Sequence, residues 1–107
     1  MAQTPEGAVK QRAVKILRSI NAYYFFPATG GYGRSGVPDI IGCIDGRFFG
    51  IECKALGKIA SPLQTQAINN ILKSGGIAFV YDGSMSDDEF KLRLGCSGII
   101  EAWRNIV

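Results

Sequence analysis

The sequence predicts an α/β fold, because it contains the patterns of an antiparallel hairpin and of a parallel crossover in succession. Two apolar runs joined by Asp45-Gly46 predict the hairpin, since both central residues of a type I′ turn take positive φ. A helix-start pattern and the apolar residues 77–81 come next. A strand, helix, strand order of this kind predicts a strand that returns parallel to the second hairpin strand.

The first element is a helix that begins at Pro5 and extends to about Asn21. Thr4 precedes it as the N-cap, and Glu6 lies in its first turn. Five apolar side chains recur at helical spacing and predict the buried stripe: Val9, Ala13, Ile16, Leu17 and Ile20. Glu6 lies on the N-terminal extension of this stripe, so its carboxylate either points inward or only complements the helix dipole.

Residues 22–27 are aromatic and predict a β-strand that ends at Pro27. A glycine-rich loop follows over residues 28–36, and its spacing does not match a Walker A or dinucleotide-binding motif. The loop carries Tyr32 and Arg34. This pair suits either DNA binding, with Arg34 on phosphate and Tyr32 stacking, or an ordinary surface loop, and both interpretations stay open.

The hairpin brings three ionisable side chains to one face of the sheet. Its two-residue turn pairs Ile44 with Arg47, so counting outward puts Asp39 directly opposite Glu52. Lys54 projects from the same face, two positions beyond Glu52. Carboxylates about 5 Å apart at Cβ repel each other unless a cation lies between them. Oxygen ligands of this kind favour Mg²⁺ or Mn²⁺, with Lys54 placed to act on whatever the metal binds.

The crossover helix is predicted from its own start and stop residues. Ser61 is the N-cap, Pro62 takes the first helical position and Gln64 completes a capping box. Gly75 ends the helix. The apolar residues 77–81 then predict a short buried strand.

The last part of the chain predicts one more helix and a tail of uncertain type. Ser86 and Glu89 have the spacing of a second capping box, and Gly95 stops the helix that they introduce. Residues 99–107 are amphipathic. We expect Trp103 in this tail either to close the core or to meet a second subunit.

Composition limits the chemistry that the protein can perform. A chain of 107 residues forms one domain, which we place over residues 1–107 with a single site. It contains no histidine, which excludes histidine triads, histidine bases and histidine metal ligands. The net charge of +3 is too small by itself to indicate a nucleic-acid partner. Basic residues crowd the first helix, on either a binding surface or a solvated face: Lys10, Arg12, Lys15 and Arg18.

No apolar stretch approaches the ~20 residues of a membrane span, and the N-terminus lacks the basic start and apolar core of a signal peptide. We therefore expect an intracellular protein with no membrane partner. Three cysteines without metal-ligand spacing favour buried free thiols over a disulfide or a zinc site: Cys43, Cys53 and Cys96.

Four segments, preceded by the helix with Glu6, stand in a recognisable order: residues 36–42 (GVPDIIG), 46–55 (GRFFGIECKA), 63–64 (LQ) and 75–78 (GGIA). In this order they resemble the PD-(D/E)XK nuclease superfamily, and more closely its stand-alone VRR-NUC domains from phages and prophages. The resemblance covers nearly the whole chain and is weakest in the C-terminal tail. It implies an α/β core of restriction-endonuclease type, with a mixed central sheet flanked by helices, and a metal-dependent phosphodiesterase that acts on DNA.

The resemblance also implies a role for each candidate metal ligand. Asp39 and Glu52 resemble the two carboxylate ligands, and the backbone carbonyl of Cys53 resembles the third. Glu6 resembles the first-helix acid that completes the metal site, often through water. The metal is therefore expected to be Mg²⁺ or Mn²⁺.

Two further residues are assigned catalytic roles by the same resemblance. Lys54 resembles the residue that positions or activates the attacking water. Gln64 resembles the glutamine that supports the lysine and the nucleophile from the following helix, a role compatible with its predicted part in the capping box.

The function expected from these observations is a structure-selective DNA endonuclease. The resemblance to junction-cleaving phage enzymes favours a Holliday-junction resolvase, encoded by a phage or prophage and acting in the cytoplasm of a bacterial host. One chain offers one hydrolytic centre, so cutting both strands of a junction favours a symmetric homodimer. The alternative is a catalytically inactive module that keeps the nuclease fold and binds nucleic acid or another partner. A third interpretation treats the carboxylate pair as an accident of a structural α/β protein.

Overall fold

The computed structural model describes residues 3–28 and 36–95. Within these ranges it contains three helices and four strands: α1 (Pro5–Ser19), β1 (Tyr23–Phe25), β2 (Ile40–Ile44), β3 (Arg47–Cys53), α2 (Pro62–Lys73), β4 (Ile77–Tyr81) and α3 (Asp87–Arg93). None of these helices is long and apolar enough to cross a membrane. Tyr32, Arg34, Cys96 and the tail with Trp103 lie outside the described residues.

The four strands form one mixed sheet in the order β1-β2-β3-β4. β1 pairs with β2 and β2 pairs with β3 in antiparallel directions, whereas β3 and β4 are parallel. The predicted hairpin and the predicted parallel crossover through α2 are therefore both confirmed, and the described chain is a small α/β domain.

The turn of the hairpin has the geometry that its sequence requires. Asp45 and Gly46 have φ angles of 54° and 77°, as expected for a type I′ turn, and Ile44 pairs with Arg47. Because asparagine, aspartate and glycine tolerate positive φ, these two residues close the hairpin at little conformational cost. The predicted register is confirmed from the turn outward to the pair Ile40 and Ile51.

The helix α1 begins as predicted and ends two residues early. The Thr4 hydroxyl accepts a hydrogen bond of 2.9 Å from the Gly7 N–H, and Pro5 takes the first helical position. At the other end Asn21 has a φ of 58°, and its N–H and that of Ala22 donate to the carbonyls of the last turn. This arrangement is a Schellman motif with asparagine in the left-handed position, which stops the helix before Asn21.

The caps of the other two helices differ in one respect from the prediction. In α2 the complete capping box is present between Ser61 and Gln64. In α3 only half of the predicted box forms, because the Ser86 hydroxyl accepts from the Glu89 N–H while the Glu89 carboxylate pairs with Arg93 one turn later. The ion pair between residues four apart competes with the return bond to the cap.

Helices cover the two faces of the sheet unequally. The face under α1 and α3 carries the main core, in which Phe49, Tyr81 and Phe90 are fully buried. The opposite face is covered by α2 over β3 and β4, with Ile71 against Gly50. Beyond the reach of α2, Cys43 is exposed, so the prediction of a buried thiol is correct for Cys53 and wrong for Cys43.

Gly42 should not tolerate a side chain, because an added Cβ would overlap with the Tyr23 carbonyl and the Phe49 ring. We expect Gly42→Ala to lower the free energy of unfolding by about 1–3 kcal/mol, as overpacking of a core does. Urea denaturation measures this loss. The adjacent Cys43→Ala is the control, since that exposed side chain should change stability by less than about 0.5 kcal/mol. Equal stability of the two variants would contradict the packing of Phe49 over Gly42.

Candidate metal-binding and catalytic site

The register of the hairpin places two carboxylates face to face. Ile40 pairs with Ile51, so the preceding Asp39 and the following Glu52 occupy the next opposed position. Asp39 lies just before β2 begins, and Glu52 lies in the last part of β3. Strand geometry therefore brings the two acids together although they are separated by the whole hairpin.

Asp39 is held by the backbone of the opposite strand. Its Oδ2 accepts a hydrogen bond of 2.9 Å from the N–H of Cys53. The Cys53 side chain is fully buried on the other face of the sheet, and this burial raises the pKa of its thiol to about 12. Cys53 is therefore an inert packing residue whose main chain, not its sulfur, takes part in the site.

Glu52 is the most unusual side chain in the described chain, because it is a carboxyl with only 2% of its surface exposed. Its pKa is raised to about 8, chiefly by burial and then by hydrogen bonding to Asp39 and the charge of Asp39, whereas the charge of Lys54 opposes the shift. The Oε2 atom of Glu52 is buried without a hydrogen-bond partner. An unpartnered buried oxygen of this kind is costly, and a bound cation would satisfy it.

Lys54 lies directly after β3 and continues the ladder to β4. Its N–H donates a hydrogen bond of 3.0 Å to the carbonyl of Tyr81, which keeps the chain extended beyond the end of the strand. The side chain is half-buried, and its positive charge acts on Glu52. The structure thus brings Asp39, Glu52 and Lys54 together, as the register predicts.

Gln64 lies in the first turn of α2, where it serves as a cap. Its Oε1 accepts a hydrogen bond of 2.8 Å from the Ser61 N–H, which confirms the structural part of its expected role. The backbone of Gly36 packs against Leu63 and Gln64 so closely that an added Cβ would approach the Leu63 carbonyl group to 2.6 Å. This contact brings the first turn of α2 against the chain that leads to Asp39.

Glu6 joins the site only through its charge. It lies in the first turn of α1 and is exposed, so its side chain does not enter the interior. Its charge contributes to the raised pKa of Glu52, although less than burial and Asp39 do. In the first turn of α1 its carboxylate also complements the helix dipole, and its exposure is compatible with a contact to the site through water.

Two side chains of the site, those of Asp39 and Glu52, could bind a metal ion. In the described ranges no group of three or more His, Cys, Asp or Glu side chains lies together in a way that could hold an ion. Asp39 and Glu52 would need a backbone carbonyl, for which Cys53 is adjacent, and water molecules. A hard cation such as Mg²⁺ is commonly bound in this way, by one or two carboxylates and several waters. The unpartnered Glu52 oxygen therefore fits such an ion.

Sequence reasoning gave no role to two backbone groups that build the site. The N–H of Cys53 anchors Asp39, and Gly36 permits the approach of α2. The first follows from the hairpin register, since an opposed strand offers its N–H groups to an acidic side chain at the strand end. The second could have been suspected from a glycine next to Val37-Pro38, but its partner in α2 is distant in sequence.

No protein-family model matches the chain, and no curated protein matches it either.

The stability of the metal-free protein should fall as the pH rises from about 5 to about 8. The ordinary pKa of a glutamate is 4.5 and that of Glu52 in the fold is about 8, so the folded state keeps a proton that the unfolded state releases. The loss is at most about 1.4 kcal/mol per pH unit for one proton. Chemical denaturation in chelator at a series of pH values measures it.

Glu52→Gln should remove this decline, since the amide does not titrate. Glu6→Gln, at an exposed carboxylate, is the matched control and should leave most of the decline in place. If the Glu52→Gln curve ran parallel to that of the unmodified protein, the burial of a protonated Glu52 would be contradicted.

Proposed function

We propose that the protein is a divalent-metal-dependent DNA endonuclease of the PD-(D/E)XK superfamily and the VRR-NUC type. The observation that carries this proposal is the buried, partly unpartnered Glu52 opposite Asp39, with Lys54 on the same face. The mixed sheet with helices on both faces is compatible with that superfamily. A structural protein would gain nothing from burying a carboxyl beside a second carboxyl, because each raises the energy of the other's charged form.

In this proposal the acids hold the ion and orient the substrate. Asp39 and Glu52 would hold Mg²⁺ or Mn²⁺ together with the Cys53 carbonyl, and Glu6 would contact the ion through water. When bound there, such an ion would supply the charge that polarises a phosphoryl oxygen and lowers the pKa of a water. The hydrogen bond from the Cys53 N–H to Oδ2 fixes the direction of the Asp39 carboxylate.

Lys54 is the residue that we assign to the attacking water. Its positive charge acts on Glu52 and opposes the rise in the pKa of that carboxyl. In a chain without histidine, an ammonium held beside a metal can position a water and take part in its deprotonation. Gln64 would support Lys54 from α2 through its amide nitrogen, since its oxygen is engaged by the Ser61 N–H.

The proposed substrate is branched DNA, with a four-way junction as the leading candidate. Each chain contributes one pair of opposed carboxylates in its described part, so one chain cuts one strand at a time. A junction has two strands to cut in related positions, and a symmetric homodimer places two sites to match them. We therefore propose that the active form is a homodimer.

Cleavage should require Mg²⁺ or Mn²⁺ and should be lost in Asp39→Asn and in Lys54→Met. The asparagine retains an acceptor for the Cys53 N–H, and the methionine retains the apolar stem of the lysine, so both variants should fold. We expect a fall in rate of at least about a hundredfold in each. Gel assays of labelled DNA with metal or with chelator measure the rates.

Asp88→Asn and Lys58→Met are the matched controls, because both side chains are exposed and lie outside the site. They should cleave like the unmodified protein. If no DNA substrate were cut in Mn²⁺ by a folded protein, the enzyme would be excluded and the inactive binding module would take its place.

Substrate preference and assembly are tested together. We expect a four-way junction to be cut at least about tenfold faster than a flap or a duplex, with the two nicks made by a protein that sediments as a dimer. Analytical ultracentrifugation and parallel gel assays provide the two measurements. Equal cleavage of all three substrates would contradict junction selectivity while leaving the metal-dependent chemistry intact.

A further inference from the structure

A groove runs along α1, and its lining includes none of Asp39, Glu52 and Lys54. It has a volume of about 610 Å³ and lies between α1 and the chain that follows β1. Its principal lining residues are Lys10, Gln11, Val14, Lys15, Arg18 and Phe26. No acidic residue among the described ones lines it, so the groove is positively charged.

The three basic side chains that line this groove form no ion pairs with described residues. Among the described residues the ion pairs are those of Arg12 with Asp87 and of Arg93 with Glu89, and neither involves Lys10, Lys15 or Arg18. Arg12 points to the other side of α1, where it donates to the Gly83 carbonyl and ties α1 to α3. The basic residues of α1 thus divide into one that supports the fold and three that face the groove.

Aromatic rings form the opposite wall. Phe26 is about half exposed, the Lys10 Nζ lies 4.3 Å from its ring centroid, and Tyr24 packs against it edge-on at 6.0 Å. The Tyr24 hydroxyl accepts a hydrogen bond of 3.0 Å from the Arg18 Nε. These contacts hold Lys10 beside the half-exposed Phe26 ring and Arg18 beside Tyr24, so the groove combines cations with an accessible aromatic surface.

The spacing of the cations suits a polyanion. Lys10 and Arg18 are separated by about 12 Å along the helix axis, a length over which one strand of B-form DNA carries about three phosphates. Lys10 follows Glu6 by about one helical turn, so the cations of the groove begin one turn after the acid in the first turn of α1.

We propose that this groove binds one strand of nucleic acid, with phosphates on Lys10, Lys15 and Arg18 and a base stacked on Phe26. The assignment rests on the proposed function in taking DNA as the polymer, and it adds a surface that binds one strand outside the carboxylate site. A basic groove with an exposed aromatic wall is the arrangement that tracks single strands, whereas a duplex offers no unstacked base to the ring.

The experiment measures binding without cleavage. Fluorescence anisotropy in chelator gives the affinity of the protein for a labelled oligothymidylate and for a blunt duplex, over salt concentrations from about 50 to 200 mM. We expect Lys15→Ala/Arg18→Ala to bind the oligothymidylate more weakly and to reduce the slope of log K against log salt by about 1.4, the value for two lost phosphate contacts on a single strand. Phe26→Leu should weaken binding at least about fivefold and leave the slope unchanged.

Two control variants match these changes at other surfaces. Lys58→Ala/Lys73→Ala removes two exposed cations away from the groove, and Phe48→Leu removes a ring of similar exposure on the hairpin. Both should bind like the unmodified protein. An unchanged salt slope in the groove variant, or an equal loss in the control variant, would overturn the proposal. So would a duplex bound as tightly as the oligothymidylate with the same dependence on Phe26.

The cleavage and binding assays together distinguish a wrong groove assignment from a wrong nuclease function. If the protein cleaves DNA in Mn²⁺ and the groove variants bind and cleave normally, the groove assignment is wrong and the nuclease stands. If no substrate is cleaved but the groove variants lose affinity as expected, the groove binds nucleic acid and the hydrolytic function is wrong.

Discussion

The pairing of β2 with β3 across the two-residue turn is the constraint on which the site depends. A slip of one residue would carry Asp39 and Glu52 to opposite faces of the sheet, because side chains alternate along a strand. The same pairing brings the Cys53 N–H to within 2.9 Å of Asp39 Oδ2. The turn at Asp45-Gly46 therefore determines the positions of both acids and the hydrogen bond that holds Asp39.

Packing then shifts the pKa of Glu52, the residue that the register places opposite Asp39. The core under α1 and α3 buries the far side of β3, while α2 covers part of the other side and leaves Glu52 with 2% exposure. A glutamate on an open sheet would titrate near its ordinary pKa, whereas this one is raised to about 8. The raised pKa shows that the charged form of Glu52 is unfavourable in the fold, and its Oε2 has no hydrogen-bond partner. A cation between the two acids would offset this cost in stability.

The helix α1 connects three parts of the molecule. Its apolar side, with Ala13 and Leu17 fully buried, supports the sheet, and Arg12 ties it to α3. Its first turn brings the charge of Glu6 to Glu52, and its remaining side forms the basic groove with Phe26. A single helix thus carries the acid Glu6, the contact with α3 and the cations of the proposed strand-binding groove.

Local sequence determined the features that depend on neighbours along the chain. The turn at Asp45-Gly46 set the register and hence the Asp39–Glu52 pair, and the caps at Thr4 and Ser61 set the helix starts. Only the tertiary structure decided the burial of Glu52, the contact of Gly36 with α2, the exposure of Cys43 and the groove between α1 and Phe26. The reason is physical: dihedral preferences and side-chain alternation act over a few residues, whereas burial and electrostatic proximity depend on elements that meet only after the chain has folded.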